Sequence, residues 1–307
     1  MPLQTARPRL RISTLAPALE TLAVLREYGI EPPPGCPAHV LEELARMASL
    51  VWVDGRVIPA SQFHIDPADH GLLFGRGLWE CTRTFNGLPW LWDLHLDRLR
   101  KTAELLDIDV DPARLASASA VHQFVRSLTA MEVVVRMNVT AGRPGKPGVV
   151  WMTAVLPPAP TESVRLKSMP HSVPPGQPDL AFKTFQYGGR LRAAREAQKA
   201  GFDNALLLDA HGNVLEAANA NIFARLPDGW ATPPAGDGLL PGTVRRHLLE
   251  RSPKPTRERT IPIAELLTAA EVFVTNSNVG LVPVSAIDDR ALPVGPETQE
   301  LAGWLLP

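Results

Sequence analysis

From residue 51 onward the sequence alternates apolar and polar residues with a period of two, and turn dipeptides interrupt the alternation. The segment VWVDGRVIPA predicts a β-hairpin through Asp54-Gly55, and WECTRTFNGLPWLW predicts a second hairpin through Asn86-Gly87. Because strands outnumber helices and do not alternate with them strictly, we expect an α+β fold rather than a doubly wound sheet. The remaining strands are predicted in MEVVVRMNVTAG and GVVWMTAVL and, in a second unit that starts near VRLKSM, around residues 181–186, 204–208, 213–216, 221–225 and 271–275.

Helical patterns lie before and between these strands. Residues 1–50 contain two amphipathic stretches separated by a Pro/Gly-rich turn. Asp93 is the predicted N-cap of the helix LHLDRLRKTAELL, and Asp111-Pro112 predicts the start of a helix that runs to about residue 129. Further helices are predicted near residues 188–200, 243–251 and 296–304.

The chain of 307 residues is long enough for two domains of ordinary size. The proline-stiffened segment LPPAPTES suits a linker between them. We therefore predict an N-terminal helical extension over residues 1–50, a small α/β domain over 51–156, a linker over 157–163 and a large domain over 164–307.

Composition excludes several classes of protein. With 45% apolar and 21% charged residues, the chain has the balance of a folded globular protein. A net charge of -1 without a long basic stripe argues against a nucleic-acid partner. The apolar runs are far shorter than the ~20 residues that cross a bilayer, so we expect no membrane partner and a cytoplasmic location. Cys36 and Cys81 are isolated and lack the spacing of a zinc site, so we predict no metal.

Lys183 is the first candidate for chemistry. In a strand over residues 181–186 its side chain would share a face with Ala181 and Phe185. An apolar face favours the neutral amine, which lowers the pKa and leaves a nucleophile able to form a Schiff base. A lysine on a wet sheet edge would give the same pattern, so this residue alone does not decide the function.

Glu216 is the second candidate. It follows a predicted strand in GNVLEAANANIF, with no basic residue within several positions. A carboxylate there could hold a proton on a pyridine nitrogen, although an ordinary loop glutamate would also fit. The segment FVTNSNVG ends another strand with small polar side chains, including Asn276 and Ser277, which could bind phosphate or simply form a turn.

A third feature favours an anion. LLPGTVRRHLLE places Gly242 directly before a helix, and the first amides of that helix, those of Thr243 and Val244, would attract a phosphate. A helix start capped by threonine is the simpler interpretation. Arg98 shares a helical face with His95 and offers a guanidinium fork to a phosphate, unless it is merely solvated.

The order of these segments is more specific than any one of them. DHGLLFGRGLWECTRTFNGLPWLWDLHLDRL, a lysine, GFDNALLLDAHGNVLEAANANIF, LLPGTVRR and EVFVTNSNVGLVPV together resemble the class IV aminotransferases, the fold-type IV pyridoxal-phosphate enzymes, over roughly residues 51–290. That family includes branched-chain aminotransferases, D-amino acid aminotransferases and aminodeoxychorismate lyases. The resemblance implies a small α/β domain, a larger domain with a barrel-like sheet, and an active site between them that a second subunit of a homodimer completes.

The resemblance also implies pyridoxal 5'-phosphate (PLP) as the cofactor. Lys183 would form the Schiff base, Glu216 would pair with the pyridine nitrogen, and Tyr187 would lie near the Schiff base. Leu240 would pack against the ring. The phosphate would be held by Arg98, Thr243, Val244 and Ser277.

Several positions depart from the family pattern and concern the substrate. Phe74 stands where branched-chain aminotransferases have a substrate-facing tyrosine, and it matches the D-amino acid and lyase members. Ala141 replaces an arginine that many members carry, so a basic residue of the 136–146 region must contact the substrate carboxylate. We predict Arg143, with Lys146 and Arg136 as alternatives. The segment TNS at 275–277, with Asn276 facing the substrate, resembles the lyases.

The predicted reaction is amino-group transfer between an amino acid and a 2-oxo acid. One alternative is a lyase that converts 4-amino-4-deoxychorismate to pyruvate and 4-aminobenzoate. A second alternative is a PLP-binding protein without turnover, which the altered carboxylate site would favour.

Overall fold

A computed structural model describes residues 17–27, 29–32, 36–170 and 181–307. Within those residues the helices are α1 (Pro17–Glu27), α2 (Ala38–Ser49), α3 (His70–Phe74), α4 (Trp92–Leu105), α5 (Ala118–Leu128), α6 (Gly188–Lys199), α7 (Thr243–Arg251), α8 (Ile263–Leu266) and α9 (Pro296–Leu305). The strands are β1 (Leu50–Val53), β2 (Arg56–Pro59), β3 (Gly77–Phe85), β4 (Leu88–Pro89), β5 (Val134–Thr140), β6 (Val150–Val155), β7 (Val164–Pro170), β8 (Asn204–Leu208), β9 (Val214–Ala217), β10 (Asn221–Leu226), β11 (Gly229–Thr232), β12 (Thr256–Glu258), β13 (Glu271–Asn276), β14 (Gly280–Ile287) and β15 (Arg290–Ala291).

The first six strands form an antiparallel sheet in the order β2-β1-β6-β5-β3-β4. Both predicted hairpins are confirmed, and each turn dipeptide has positive φ: 45° and 91° at Asp54-Gly55, and 52° and 72° at Asn86-Gly87. That geometry is typical of the tight turns that match strand twist. Side chains from α2, α4 and α5 bury the sheet in one core with members such as Leu44, Leu99, Phe124, Met137 and Met152.

The later strands form a second sheet in the order β12-β11-β10-β13-β14-β7-β8-β9, with β15 paired to β14. The sheet curls until β9 returns to β10, where the Ala217 amide donates to the Ala220 carbonyl at 2.8 Å. Its core is aliphatic, with Leu166, Ile222 and Val284 among its buried members. The predicted α+β fold with a barrel-like sheet is therefore confirmed, while the domain boundaries at 50, 156 and 163 stay a prediction.

The segment 181–187 lies where the two sheets meet. The Trp79 amide donates to the Lys183 carbonyl at 3.0 Å, and the Phe185 amide donates to the Gly77 carbonyl at 2.9 Å. The prediction of a strand over 181–186 is wrong, because the segment forms only one isolated bridge, from Thr184 to Leu78 of β3. The backbone around Lys183 is thus a loop attached to the first sheet.

Two predicted helix starts also differ from the structure. The residue before α4 is Leu91, with φ at 52°, so Asp93 lies inside the first turn, where a carboxylate still complements the helix dipole. Asp111 caps only a short 3₁₀ turn, and α5 begins separately after Ser117, whose hydroxyl accepts from the Ala120 amide at 3.1 Å. No helix of the described residues has the length and apolar character needed to cross a bilayer.

Candidate active site

A small cavity of about 30 Å³ lies beside Lys183. It shares Lys183, Tyr187 and Ser277 with a larger cavity of about 740 Å³. Nine side chains singled out from the sequence line the small cavity: Arg98, Lys183, Tyr187, Glu216, Leu240, Thr243, Val244, Asn276 and Ser277. Residues from distant parts of the chain therefore meet at one place.

Aromatic rings surround the Lys183 amine. Its Nζ lies 3.7 Å from the centre of the Trp79 indole and 5.7 Å from that of the Tyr187 ring. Trp79 is fixed, because its indole N–H donates to the Thr184 carbonyl at 2.9 Å. Burial lowers the pKa of Lys183, since an apolar surrounding disfavours the ammonium form, and the nearby positive charge of Arg98 adds to that shift. A lowered pKa makes the amine a better nucleophile at neutral pH.

The start of α7 forms one end of the small cavity. No side chain caps this helix, whose N-cap residue is Gly242. A Cβ on Gly242 would lie 2.0 Å from the Asn221 Oδ1, so a larger residue would have to displace Asn221. The amides of Thr243 and Val244 have no acceptor within the helix, which makes this end suitable for an anion.

Arg98 reaches the same end from α4. Its Nε and Nη2 bind the two oxygens of Glu80 at 2.8 Å and 2.5 Å, and its Nη1 donates to the Pro241 carbonyl at 3.0 Å. Burial raises the pKa of the Glu80 carboxyl, but Arg98 and His95 outweigh it and hold the pKa at about 2. The guanidinium is therefore fixed beside Gly242.

His95 connects this pair to α7. Its Nδ1 lies 2.7 Å from Glu80 Oε2, and its Nε2 lies 3.1 Å from the Thr243 hydroxyl. Burial lowers the pKa of His95, so the neutral ring is favoured. Because an ionised carboxylate only accepts hydrogen bonds, Nδ1 donates to Glu80 and Nε2 accepts from Thr243.

Glu216 also lines the small cavity and is only 2% exposed. Its Oε1 accepts from the Arg190 Nη2 at 2.6 Å and from the Leu240 amide at 2.9 Å, and its Oε2 accepts from the Asn221 side-chain amide at 3.3 Å. Sequence reasoning missed Arg190, which also lines the cavity. One signal was available: an arginine in the first turn of a helix opposes the helix dipole and calls for a compensating partner.

The larger cavity continues from Lys183 along the first sheet. Its walls include Trp151, Phe185 and Asn138. Arg136 lies there too, with its guanidinium 3.9 Å from the centre of the Trp79 ring and its Nε donating to the Asn138 Oδ1 at 2.8 Å. Of the three basic residues considered for the substrate carboxylate, Arg136 is thus the one that shares a cavity with Lys183.

The preferred candidate, Arg143, lies elsewhere within the chain. It lines a separate cavity of about 440 Å³, where Asp66 pairs with Arg143 at 3.1 Å and with Lys146 at 3.0 Å. Phe74 is 60% exposed, with its ring 5.2 Å from that of His70. Among the described residues, neither Phe74 nor Arg143 lines the two cavities beside Lys183.

The pattern of the amino-transferase class IV family matches residues 77–287. The chain belongs to that family. A putative branched-chain-amino-acid aminotransferase from Methanocaldococcus jannaschii is 28% identical over 272 residues, which are 82% of this chain and 93% of the relative.

Solved structures of similar proteins agree with this class IV assignment. The 4-amino-4-deoxychorismate lyase from Pseudomonas aeruginosa is 31% identical, with a TM-score of 0.71 over 83% of this chain and 98% of the lyase. A hypothetical aminotransferase from Mycobacterium tuberculosis, in its PLP-bound form, superposes with a TM-score of 0.76 at 22% identity over 83% of this chain and 97% of its own. At that identity, the second structure supports the fold alone.

Class IV aminotransferases are PLP enzymes, so PLP is the cofactor of this chain. The groups in the small cavity fit it chemically. The uncapped start of α7 and the fixed Arg98 suit a phosphate, the buried Glu216 carboxylate suits a protonated ring nitrogen, and Lys183 supplies an amine for the aldehyde.

Proposed function

We propose that this class IV enzyme transfers an amino group between an amino acid and a 2-oxo acid, with Lys183 as the residue that attaches to the cofactor aldehyde. The observation that carries this proposal is the position of a lysine with a lowered pKa in one cavity with an anion-binding helix start and a buried carboxylate. When bound, PLP supplies the electron sink for a substrate that loses its Cα proton.

Each residue then has a separate task. The Lys183 amine, when free, would accept the Cα proton of the substrate and release it again during the transfer. Glu216 keeps a proton on the ring nitrogen. Tyr187, whose pKa burial raises to about 12, stays protonated and can donate a hydrogen bond near Lys183. Leu240 would pack against the ring, and the phosphate would be held by Arg98, Thr243, Val244 and Ser277.

For the substrate carboxylate we favour Arg136 within one chain. Its guanidinium faces the larger cavity beside Lys183, and an arginine fork suits a carboxylate. Asn276 lines both cavities and would contact the same substrate. Arg143 and Phe74 would reach a substrate only from a second subunit.

That second subunit belongs to the proposed homodimer. Leu72, Leu73 and Phe74 are each more than half exposed and adjacent, which is typical of a surface that another protein covers. Cys36 and Cys81 are free thiols, as expected for the proposed cytoplasmic location.

Lyase chemistry is the second candidate. The lyase from Pseudomonas aeruginosa is 31% identical to this chain, and the TNS segment at 275–277 resembles that subgroup. Such an enzyme would release pyruvate and 4-aminobenzoate from 4-amino-4-deoxychorismate with the same lysine and cofactor.

An absorbance experiment separates these functions. The holoenzyme is mixed with L- and D-amino acids in the absence of a 2-oxo acid, and the visible band of the bound cofactor is followed. Bleaching that 2-oxoglutarate or pyruvate reverses is expected for transamination. No bleaching, together with 4-aminobenzoate release from aminodeoxychorismate, would replace transamination with the lyase. No response in either assay would indicate a PLP-binding protein without turnover.

A further inference from the structure

We infer that Arg190 is a positioning residue that keeps the Glu216 carboxylate ionised and turns one of its oxygens toward the ring nitrogen of the cofactor. This inference rests on the proposed role of Glu216. The helix α6, which follows Lys183 in the chain, would then have a role in the chemistry through Arg190.

The geometry fixes the orientation of the carboxylate. Arg190 and Glu216 are 4% and 2% exposed, and their ion pair is 2.6 Å long. Oε1 of Glu216 accepts from both Arg190 and the Leu240 amide, whereas Oε2 has the Asn221 amide at 3.3 Å. Oε2 is therefore the oxygen with capacity left for a further donor in the cavity.

The charges around Glu216 determine its protonation. A buried carboxylate without a cation takes up a proton, and a neutral carboxyl cannot keep a ring nitrogen positive. From α6 and the residue before it, Arg190 and Tyr187 face Glu216, and Lys183 and Arg98 lie across the cavity. The neighbouring strands contribute Leu207 and Asn221, which do not titrate.

Arg190 is also suited to this task as an arginine. Among the charged groups described around the cavity, it is the one that binds Glu216 directly. A guanidinium keeps its charge when buried, whereas the Lys183 amine loses its proton readily. Arg190 therefore supplies a constant positive charge that the reaction cycle does not remove.

The first test needs no cofactor. In apo Arg190→Met we expect the infrared carbonyl band of a protonated carboxyl, which fades as the pH is raised and which Arg190→Met/Glu216→Gln lacks. The matched comparison of wild type with Glu216→Gln should show no such band. Arg192→Met, an exposed arginine of the same helix, is the control and should behave like wild type.

The second test uses the holoenzyme. At pH 7 the kcat of Arg190→Met should fall about tenfold or more, because the Glu216 carboxylate loses both the cation that favours its ionised form and the donor that orients it. The sign of the pH dependence follows: raising the pH ionises Glu216 and should restore activity. Cofactor affinity should stay near that of wild type, since the phosphate contacts remain, and Arg190→Lys should recover part of the activity at pH 7.

The results separate the role of Arg190 from the role of Glu216. If Glu216→Gln is impaired but Arg190→Met shows no Glu216-dependent band and has the pH profile of Arg192→Met, the role of Arg190 is overturned and the proposed function stands. If Glu216→Gln turns over like wild type, the proposed role of Glu216 itself fails. Should Arg190→Met not fold, Arg190→Gln keeps two amide donors without the charge and gives the same comparisons.

Discussion

Two buried arginine–glutamate pairs adjoin the small cavity, but they contribute different groups to its lining. At the α7 end, Arg98 lines the cavity, while Glu80, 1% exposed, lies behind it. In the second pair, Glu216 and Arg190 both line the cavity, and one oxygen of Glu216 retains room for a donor. The first pair thus contributes only its cation to the lining, whereas the second pair also contributes a carboxylate.

The two pairs differ from ordinary structural ion pairs in what they contribute. Removing two charges from water costs free energy that the attraction between them only partly returns, so such a pair is weak evidence for stability alone. Here each pair places a charged group at the cavity in which Lys183 has a lowered pKa. A cation from one pair and a carboxylate from the other suit a molecule that has both an anionic group and a basic ring nitrogen.

Removal of the Lys183 amine should have the largest effect on activity. Lys183→Ala is expected to abolish covalent cofactor attachment and to lower turnover by about 10²–10⁴-fold or more, because no other group replaces the proton carrier. Absorbance and mass spectrometry after borohydride reduction measure the attachment. Lys199→Ala, an exposed lysine of α6, is the control. A reducible linkage retained in Lys183→Ala would show that another lysine is used.

Removal of the Glu80 carboxylate should lower both the stability of the fold and the affinity for the cofactor. Glu80→Gln leaves Arg98 and His95 without their carboxylate, and losing one partner of a buried pair costs about 3–5 kcal/mol. Urea unfolding of the apo protein measures the stability, and a PLP titration measures the affinity. Glu104→Gln, an exposed position on α4, is the control. Unchanged unfolding and affinity in Glu80→Gln would show that Glu80 supports neither the fold nor the cofactor site, and the contrast between the two ion pairs would be lost.

Acid should reveal the same pair without a mutation. The pKa of Glu80 is held at about 2, below its ordinary value of 4.5, so its ionised form stabilises the folded state. That contribution, about 3 kcal/mol, is fully present above pH 4.5 and is lost as the pH falls toward 2. Apo wild type should lose more stability across that window than apo Glu80→Gln, as measured by unfolding at each pH. Parallel curves would contradict this prediction.

The smallest effect is expected at the link between the pair and α7. Thr243→Val removes the hydroxyl that donates to His95 and should lower apo stability by about 1 kcal/mol, the usual contribution of a neutral hydrogen bond. Thr243→Ser keeps the hydroxyl and should behave like wild type in the same unfolding experiment. Equal losses in both variants would point to packing rather than to the hydrogen bond.

Sequence patterns predicted the residues of the cavity better than their partners. Glu216, Gly242 and Thr243 lie at strand ends and a helix start, where local geometry already limits what a side chain can do. The partners Glu80 and Arg190 are chosen by the tertiary fold, because each pair joins separate elements. A charged residue inside the buried strand β3 was nevertheless a signal that Glu80 needs a counterion.

The position of Arg136 follows from the alternation of side chains along β5. Val134, Arg136 and Asn138 alternate along β5 and line the larger cavity together, as the period of a strand requires. Arg143, the preferred candidate, lies two residues after Ala141 along the chain. After Ala141, however, the backbone turns at Gly142, with φ at 68°, and Arg143 bridges to Lys146 instead. Closeness along the chain did not predict a shared cavity here.

The loop around Lys183 has a consequence for biosynthesis. Its backbone is attached to β3, made early, whereas Glu216, Thr243 and Ser277 of the same cavity are made after it. When Lys183 leaves the ribosome, most of the groups that would hold PLP have therefore not yet been made. Coenzyme capture thus becomes a late event of synthesis, and the yellow colour of the loaded protein would serve as a natural reporter of completed folding.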